Sequence, residues 1–124
     1  MNIMFIPLNL NLTNTRILSS GAFDFHVCIW DVSTQHCLKC INLHTQPIYT
    51  ICFSPNGEYF VTGGIDKKLY VWRTCDSSLI ADYDANCGMF EAHWDPTGNS
   101  IAMCLANSNV AVIFSKDIFN REWI

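Results

Sequence analysis

The sequence predicts an all-β fold built from repeated four-stranded antiparallel sheets, of the kind that stack around an axis in a β-propeller. Three observations carry this prediction: a repeat of 41 to 42 residues, tight-turn sequences at regular intervals, and strands that are apolar on both faces. Roughly two and a half repeats fit into the 124 residues, so we expect two to three sheets.

The repeat is visible in residue identities. A glycine, an aspartate and a tryptophan at Gly21, Asp24 and Trp30 recur 42 residues later at Gly63, Asp66 and Trp72. The turn at 54–57 recurs 41 residues later at 95–98, and a weaker third copy starts at residue 101. The predicted division is a non-repeat segment 1–16, repeats at 17–59, 60–100 and 101–115 (partial), and a tail 116–124.

Strand and turn chemistry fills each repeat. Residues 47–53 are β-branched and aromatic, and the following turn has Ser first, Pro second and Gly fourth, as type I turns prefer. Residues 58–64 and 68–72 form a predicted hairpin around 65–67, and 79–83 is the fourth strand. No stretch sustains helical apolar spacing, so helix is a minor component at best.

Strict alternation along 47–53 places Ile48 and Cys52 on one face and Tyr49, Ile51 and Phe53 on the other. Both faces are therefore apolar. This is typical of a sheet packed between two other sheets and predicts stacked blades rather than a two-layer sandwich.

Composition limits the functions available. Half of the residues are hydrophobic and 15% are charged, so the chain is not a disordered tail. The net charge of −4 and only seven Lys and Arg argue against direct nucleic-acid binding. Seven cysteines, an odd number, favour thiols in a reducing compartment. The apolar start is too short for a membrane span and lacks a basic region, so we expect no signal peptide or membrane partner.

Four segments carry a family resemblance: residues 27–31, 53–57, 62–66 and 69–72 resemble the WD40 repeat, and the resemblance covers about residues 17–115. Together with 43–49 and 88–94, they also resemble the end of the transducin-β-like corepressor subunits, the F-box-like/WD-repeat proteins. In that family these would be the final blades of a larger ring of about seven or eight sheets.

The same resemblance has two further implications for the chain. Residues 9–14 would match an insertion between the first two strands of a blade. The family's N-terminal oligomerisation and F-box-like regions have no counterpart in the sequence, so we expect a fragment or a shortened form that does not make a stable monomer alone.

The resemblance implies a protein-interaction scaffold, a subunit of a nuclear histone-deacetylase corepressor complex that regulates transcription. The implied partners are corepressor subunits, with histones and the ubiquitin machinery as further candidates; no enzyme activity, cofactor or small-molecule substrate is expected. One alternative is a generic cytoplasmic WD40 adaptor for ubiquitin-ligase or trafficking complexes. A second alternative is a Cys/His metal-binding protein.

Three residues of the second repeat, His44, Thr62 and Asp66, have the side chains of a catalytic triad, and Trp72 stands beside them. A nucleophile needs a free hydroxyl next to a base in an open pocket. In WD40 proteins the matching residues instead form a buried hydrogen-bond chain, so the resemblance implies a structural role.

The other repeats keep less of this chain. The first has a partial set, Ser20, Asp24 and Trp30, without a histidine. The last carries Ala85, Met103, Asn107 and Ile113 at the four positions.

Two other groups of residues have the types used in metal or acid–base chemistry. Cys37 and Cys40 are three apart on a predicted outer strand, where alternation puts them on opposite faces, so packing is favoured over a metal site. Asp82 and Asp84 also lie on a predicted outer strand, where charge discourages strand addition.

Partner contacts are expected at loop tips, because backbone groups inside a stacked sheet are already paired. The candidates are Phe23, Phe25 and Lys67 in hairpin turns, and Gln46 and Tyr49 near the start of an inner strand.

Overall fold

The computed structural model describes residues 8–10, 17–21, 26–31 and 33–119, with side chains described for 26–31 and 33–118. Within these residues the chain forms strands and one short helix. They are β1 (Leu8–Leu10), β2 (Ile17–Gly21), β3 (Val27–Asp31), β4 (His36–Ile41), β5 (Ile48–Phe53), β6 (Tyr59–Gly64), β7 (Lys68–Arg73), β8 (Leu79–Asp84), β9 (Met89–Trp94), β10 (Ser100–Leu105), β11 (Val110–Phe114) and α1 (Ser115–Phe119).

The strands form three antiparallel sheets of consecutive strands. The first sheet has the order β1-β2-β3-β4, the second β5-β6-β7-β8, and the third β9-β10-β11. The strands β1, β5 and β9 contact one another in sequence, so each sheet begins at a shared inner edge and the strands β4 and β8 lie outside. The predicted all-β class is confirmed, and the arrangement is that of part of a propeller.

Sequence repeats and sheets are offset by one strand. The repeat at 17–59 contains β2 to β4 of the first sheet and β5 of the second, and the repeat at 60–100 shows the same stagger. The strand Leu8–Leu10 lies in the segment that the sequence analysis set apart from the repeats, yet it pairs with β2. These three residues therefore belong to the first sheet.

The core consists of two apolar layers, each between neighbouring sheets. The strands β5 to β7 of the middle sheet contribute side chains to both layers, whereas the outer strand β8 is mostly exposed. The layer between the first and second sheets contains Val27, Ile29, Ile48, Ile51, Phe53, Phe60 and Trp72. The layer between the second and third sheets contains Val61, Leu69, Val71, Ala81, Met89, Ala92, Trp94, Ile101, Met103 and Ile118.

Four β-bulges interrupt the ladders of the described strands, each with one residue that has no direct partner in the ladder. On the inner strands they fall at Tyr49 of β5 and Phe90 of β9, and on the outer strands at Leu38 of β4 and Ile80 of β8. Side-chain alternation shifts by one residue at each bulge. Every side chain before a bulge therefore points to a different face than strict alternation predicts.

The first of these bulges corrects the predicted faces of β5. Ile48 shares the layer toward the first sheet with Ile51 and Phe53, whereas Cys52 packs toward the third sheet. The prediction that β5 is apolar on both faces holds. The assignment of Ile48 to the face of Cys52 is wrong, because the unpaired Tyr49 shifts the alternation.

The chain after β11 packs more closely than a free tail. Ser115 donates from its backbone N–H to the carbonyl of Asn99, 2.8 Å away, and Ile118 is buried in the second apolar layer. The expected tail thus begins with a packed turn of helix, because Ile118 covers apolar surface that β10 and β11 leave open. Within the described residues no helix has the length and apolar character needed to cross a membrane.

Candidate functional site: a buried hydrogen-bond chain below an exposed aromatic pair

The second sheet holds a continuous chain of side-chain hydrogen bonds. Trp72 Nε1 lies 3.0 Å from Thr62 Oγ1, which lies 2.7 Å from His44 Nε2, and His44 Nδ1 lies 2.8 Å from Asp66 Oδ2. His44, Thr62 and Trp72 are each at most 3% exposed. The structure thus brings the four predicted residues together across two strands, the loop before β5 and the hairpin before β7.

The direction of each bond follows from the groups involved. An indole N–H can only donate, so Thr62 Oγ1 accepts from Trp72 and donates its own proton to His44 Nε2. His44 Nδ1–H then donates to the Asp66 carboxylate. Burial lowers the pKa of His44, and the nearby Asp66 charge opposes that shift without cancelling it. A neutral imidazole is the form that this sequence of bonds requires.

Asp66 extends the chain into the backbone. Its Oδ2 also accepts the backbone N–H of Thr45 at 3.1 Å, and its Oδ1 lies 3.4 Å from the N–H of Lys68. One carboxylate therefore fixes the loop before β5 against the β6–β7 hairpin. With the Thr62 lone pair taken by Trp72 and the histidine buried, no nucleophile faces an open pocket here. The arrangement is a structural clamp.

The partial set in the first repeat lies mostly outside the described side chains. Asp24 is outside the described residues, and Ser20 is described only as backbone within β2. Trp30 is in β3, directly opposite Cys37 of β4. In the third sheet, Met103 is fully buried at the position of Thr62. An apolar side chain there fills the space with packing instead of a hydrogen bond.

The clamp holds one end of the sheets in a defined shape. The β6–β7 hairpin bonds onward to the loop before β9, because Ala85 N–H donates to the carbonyl of Lys67 at 2.9 Å. In the third sheet, Ala106 N–H donates to Gly88 at 2.8 Å. The loops at 42–47, 65–67, 85–88 and 106–109 therefore share one end of the stack, which we call the loop end.

Two exposed aromatic residues lie together at the start of the inner strands, next to this loop end. Tyr49 is 39% exposed, Phe90 is 51% exposed, and their ring centroids are 5.8 Å apart. Both are bulge residues. Because a bulge leaves its residue without a partner, the backbone turns each ring out of the core and toward solvent.

The other partner-contact candidates have different placements. Gln46 and Lys67 are exposed at the loop end, and Lys67 has a positive φ of 71° in the hairpin turn. Leu43, 40% exposed, adds apolar area to the loop that carries His44. Phe23 and Phe25 lie outside the described residues. The surface formed by Leu43, Gln46, Tyr49, Lys67 and Phe90 is called the loop-end surface below.

Sequence reasoning missed Phe90. The available signal was the repeat itself, because Phe90 stands 41 residues after Tyr49, at the same position of the next inner strand. It was not used, since the bulge that exposes both residues leaves no mark in the hydrophobic pattern.

The outer strands β4 and β8 carry the two other predicted groups, the cysteine pair and the aspartate pair. Cys37 Sγ and Cys40 Sγ are 3.4 Å apart on one face of β4, so the expectation that they point to opposite faces is wrong. The bulge at Leu38 is the physical reason. Asp82 and Asp84 are half exposed and lie 4.0 and 3.7 Å from Lys68 Nζ, as a solvated ion pair network does.

Stacked antiparallel sheets of three or four strands joined by tight hairpins, the second of them clamped from tryptophan to aspartate, define the chain as a repeat protein of the β-propeller class. Residues 35–73 match the family model described as "WD domain, G-beta repeat". The chain is a WD40-repeat protein.

Similar sequences indicate which WD40-repeat proteins the chain resembles. The chain is 38% identical over 96 residues to "WD40 repeat-containing protein HOS15" of Arabidopsis thaliana, covering 77% of this chain and 16% of that protein. It is 32% identical over 103 residues to "F-box-like/WD repeat-containing protein TBL1Y" of Homo sapiens, covering 83% of this chain and 20% of that protein. The predicted resemblance to F-box-like/WD-repeat proteins is confirmed, and the chain spans at most a fifth of the length of these two relatives.

A solved structure agrees on the fold. The β-propeller domain of Cps50 (Swd1) from Myceliophteria thermophila superposes with a TM-score of 0.80 at 20% identity, covering 87% of this chain and 34% of that one. This likeness supports the propeller architecture alone.

Proposed function

We propose that the chain is a protein-interaction scaffold whose loop-end surface binds a partner protein, and that it acts in a nuclear histone-deacetylase corepressor complex. The observation that carries the binding proposal is the Tyr49–Phe90 pair, with ring centroids 5.8 Å apart and both rings exposed. Aromatic side chains are enriched in interface centres because they bury a large area at a low cost in conformational entropy.

The surroundings favour a protein partner over a small molecule. Exposed polar Gln46 and Lys67 and apolar Leu43 are carried by loops at the same end of the stack as the pair, and interfaces commonly combine an apolar centre with a polar rim. The hydrogen-bond clamp joins the loop before β5 to the β6–β7 hairpin and holds both in place before binding. Little conformational entropy is therefore lost when these loops bind a partner.

The corepressor part of the proposal rests on similarity to the F-box-like/WD repeat-containing proteins. The relatives named above extend far beyond this chain, so the role of the whole protein is a proposal. A nuclear location is part of the proposal and rests on the family resemblance alone. Histones and the ubiquitin machinery remain candidate partners on that basis. The cytoplasmic WD40 adaptor is the alternative, because it would share every repeat feature and the loop-end surface.

The experiment is affinity purification of the tagged chain from nuclear and cytoplasmic extracts, followed by mass spectrometry. The test variant is Tyr49→Ala with Phe90→Ala, and the matched control is Leu38→Ala, an equally exposed apolar residue on the outer strand β4. We expect deacetylase-complex subunits with the wild type and the control, and a loss of about tenfold or more with the double variant, as for a central interface residue.

Each other outcome decides part of the proposal. Recovery of only ubiquitin-ligase or trafficking components, from cytoplasm, would replace the corepressor assignment by the adaptor alternative. Full retention of every partner by the double variant would show that the loop-end surface is not the binding surface.

A further inference from the structure

Three cysteines lie together on β3 and β4, on the face of the first sheet opposite to Val27 and Ile29. The Sγ atoms of Cys28, Cys37 and Cys40 all lie within 4.8 Å of one another, and the Cys37 and Cys40 sulfurs are 3.4 Å apart. Cys28 and Cys40 are directly opposite each other on β3 and β4 and are joined as a disulfide in the structure. The proposed function uses none of the three.

The bulge in β4 creates this cluster. Residues opposite each other on antiparallel strands share a face, as do residues two apart on one strand. Cys28 faces Cys40, and Trp30 faces Cys37 because Leu38 is skipped. Cys28 and Trp30 are two apart, so all three cysteines lie on one face. Without the bulge, Cys37 would face Asp31 on the other side of the sheet.

The same bulge recurs in the second sheet, where it falls at Ile80, 42 residues after Leu38. The positions of Cys28, Cys37 and Cys40 are occupied there by Tyr70, Leu79 and Asp82. The geometry is therefore a property of the repeat. Of these two sheets, only the first has thiols at the three positions.

The second sheet also shows that this position stays open when another sheet packs against the same face. The face of Trp72 is buried against the first sheet, yet Leu79 remains 46% exposed and the Asp82 side chain 53% exposed. The equivalent thiols of the first sheet, Cys37 and Cys40, are exposed as well. A neighbouring sheet on this face would leave the cluster accessible from the outer rim.

We propose that the reduced chain uses Cys28, Cys37 and Cys40 as three thiolate ligands for a thiophilic cation such as Zn²⁺. A Zn–S bond of about 2.3 Å places the sulfurs of a tetrahedral site about 3.8 Å apart. The Cys37 and Cys40 sulfurs are near that spacing at 3.4 Å, and reduction of the Cys28–Cys40 disulfide frees the third sulfur to adopt the same spacing. Three sulfur ligands leave the fourth position to water or an external ligand, and soft thiolates favour Zn²⁺ or Cu⁺ over harder cations.

Oxidation competes with metal binding at this site. A low-molecular-weight disulfide such as oxidised glutathione accepts two electrons from the Cys28 and Cys40 thiolates. The products are the Cys28–Cys40 disulfide and two glutathione thiolates. Only Cys37 then remains as a ligand, so the ion is released. The disulfide in the structure is the oxidised state of the same three-cysteine site.

The test uses the whole chain, reduced and freed of metal, titrated with Co²⁺ as a spectroscopic probe and then with Zn²⁺ in competition. The variant Cys37→Ser keeps both partners of the disulfide, and Cys104→Ser, another exposed cysteine, is the control. Loss of residues that merely hydrogen-bond to ligands weakens metal affinity about 10- to 100-fold, so loss of a direct ligand is expected to weaken it more than tenfold. The control should bind like the wild type.

Site-resolved alkylation gives a second readout in the unmutated chain. Bound Zn²⁺ should protect Cys28, Cys37 and Cys40 from a thiol reagent while Cys75 and Cys104, both exposed, react freely. Treatment with oxidised glutathione should release the ion and leave a Cys28–Cys40 cross-link in the peptide map. Equal Co²⁺ binding by wild type and Cys37→Ser, or no selective protection, would overturn the proposal.

Discussion

The buried clamp of the second sheet makes a quantitative prediction through Thr62→Val. Valine has nearly the shape of threonine but lacks the hydroxyl, so Trp72 Nε1 at 3.0 Å and His44 Nε2 at 2.7 Å both lose their partner. Each buried polar group left unsatisfied costs about 1 to 3 kcal/mol. We expect the free energy of unfolding to fall by about 2 to 6 kcal/mol in total.

The assay is urea unfolding of the chain, followed by circular dichroism because the substitution changes the surroundings of Trp72. The matched control is Thr45→Val in the preceding loop, where the side chain is exposed and the change should stay within about 0.5 kcal/mol. Adding Trp72→Phe to Thr62→Val removes the stranded indole N–H. The double variant should therefore lose less than the sum of the two single losses.

Equal stability of Thr62→Val and Thr45→Val would refute the clamp as a source of stability. Strict additivity in the double variant would refute the contact between the indole and the hydroxyl. A hydrolytic activity that disappears with Thr62→Val would show instead that the four residues are catalytic.

Three more predictions concern His44, Gly64 and Thr50. Burial lowers the pKa of folded His44 below its unfolded value of 6.5, so between these two values the unfolded chain binds more protons than the folded chain. Stability should therefore fall on acidification from pH 6.5 down to the lowered pKa, and His44→Asn should flatten the plot of urea midpoint against pH. Gly64→Ala should lower the thermal midpoint, since its Cβ would strike the facing backbone, whereas Gly88→Ala, with nearest atoms at 3.4 Å, should be tolerated. Thr50→Val should cost about 1 to 3 kcal/mol of unfolding free energy by leaving a buried N–H of β9 without its acceptor at 3.0 Å, and Thr50→Ser should restore most of it.

The turns that recur with the 41- to 42-residue repeat were the part of the fold that the sequence could predict. The turn at 54–57 forms as expected, with Gly57 N–H donating to the Ser54 carbonyl at 2.9 Å and Gly57 at a φ of 75°. Such turns need particular residues at fixed offsets, so the sequence displays them directly. The strands between them were predictable from β-branched and aromatic residues, such as those at 47–53, and from the lack of helical apolar spacing.

The buried clamp was predictable for a different reason. Local patterns alone allow a catalytic interpretation of His44, Thr62 and Asp66, and only the family resemblance implied that Trp72 occupies the hydroxyl. The structure supplies the reason that decides between them, which is burial. A side chain that is fully enclosed, as Thr62 is, has no access to substrate.

What alternation could not predict were the bulges. A bulge is set by the backbone twist that a strand needs to fit its neighbours, and this depends on the packing of whole sheets rather than on local residue pattern. Strict alternation therefore misplaced Ile48 in β5 and Cys37 in β4, in both cases next to a residue that the ladder skips. Once the bulges at Leu38 and Tyr49 are known, the repeat places their counterparts at Ile80 and Phe90, 42 and 41 residues later.

The bulges also explain why the two proposed sites lie where they do. In a stacked sheet most positions are fixed by packing on both faces, so side chains there cannot change without a loss of stability. A bulge residue has no ladder partner, and three of the four bulge residues, Leu38, Tyr49 and Phe90, are exposed, whereas Ile80 packs against the second apolar layer. The inner bulges carry Tyr49 and Phe90, and the outer bulge at Leu38 gathers the three thiols. One backbone irregularity, repeated with the sheets, thus supplies exposed positions at both edges of an otherwise buried array.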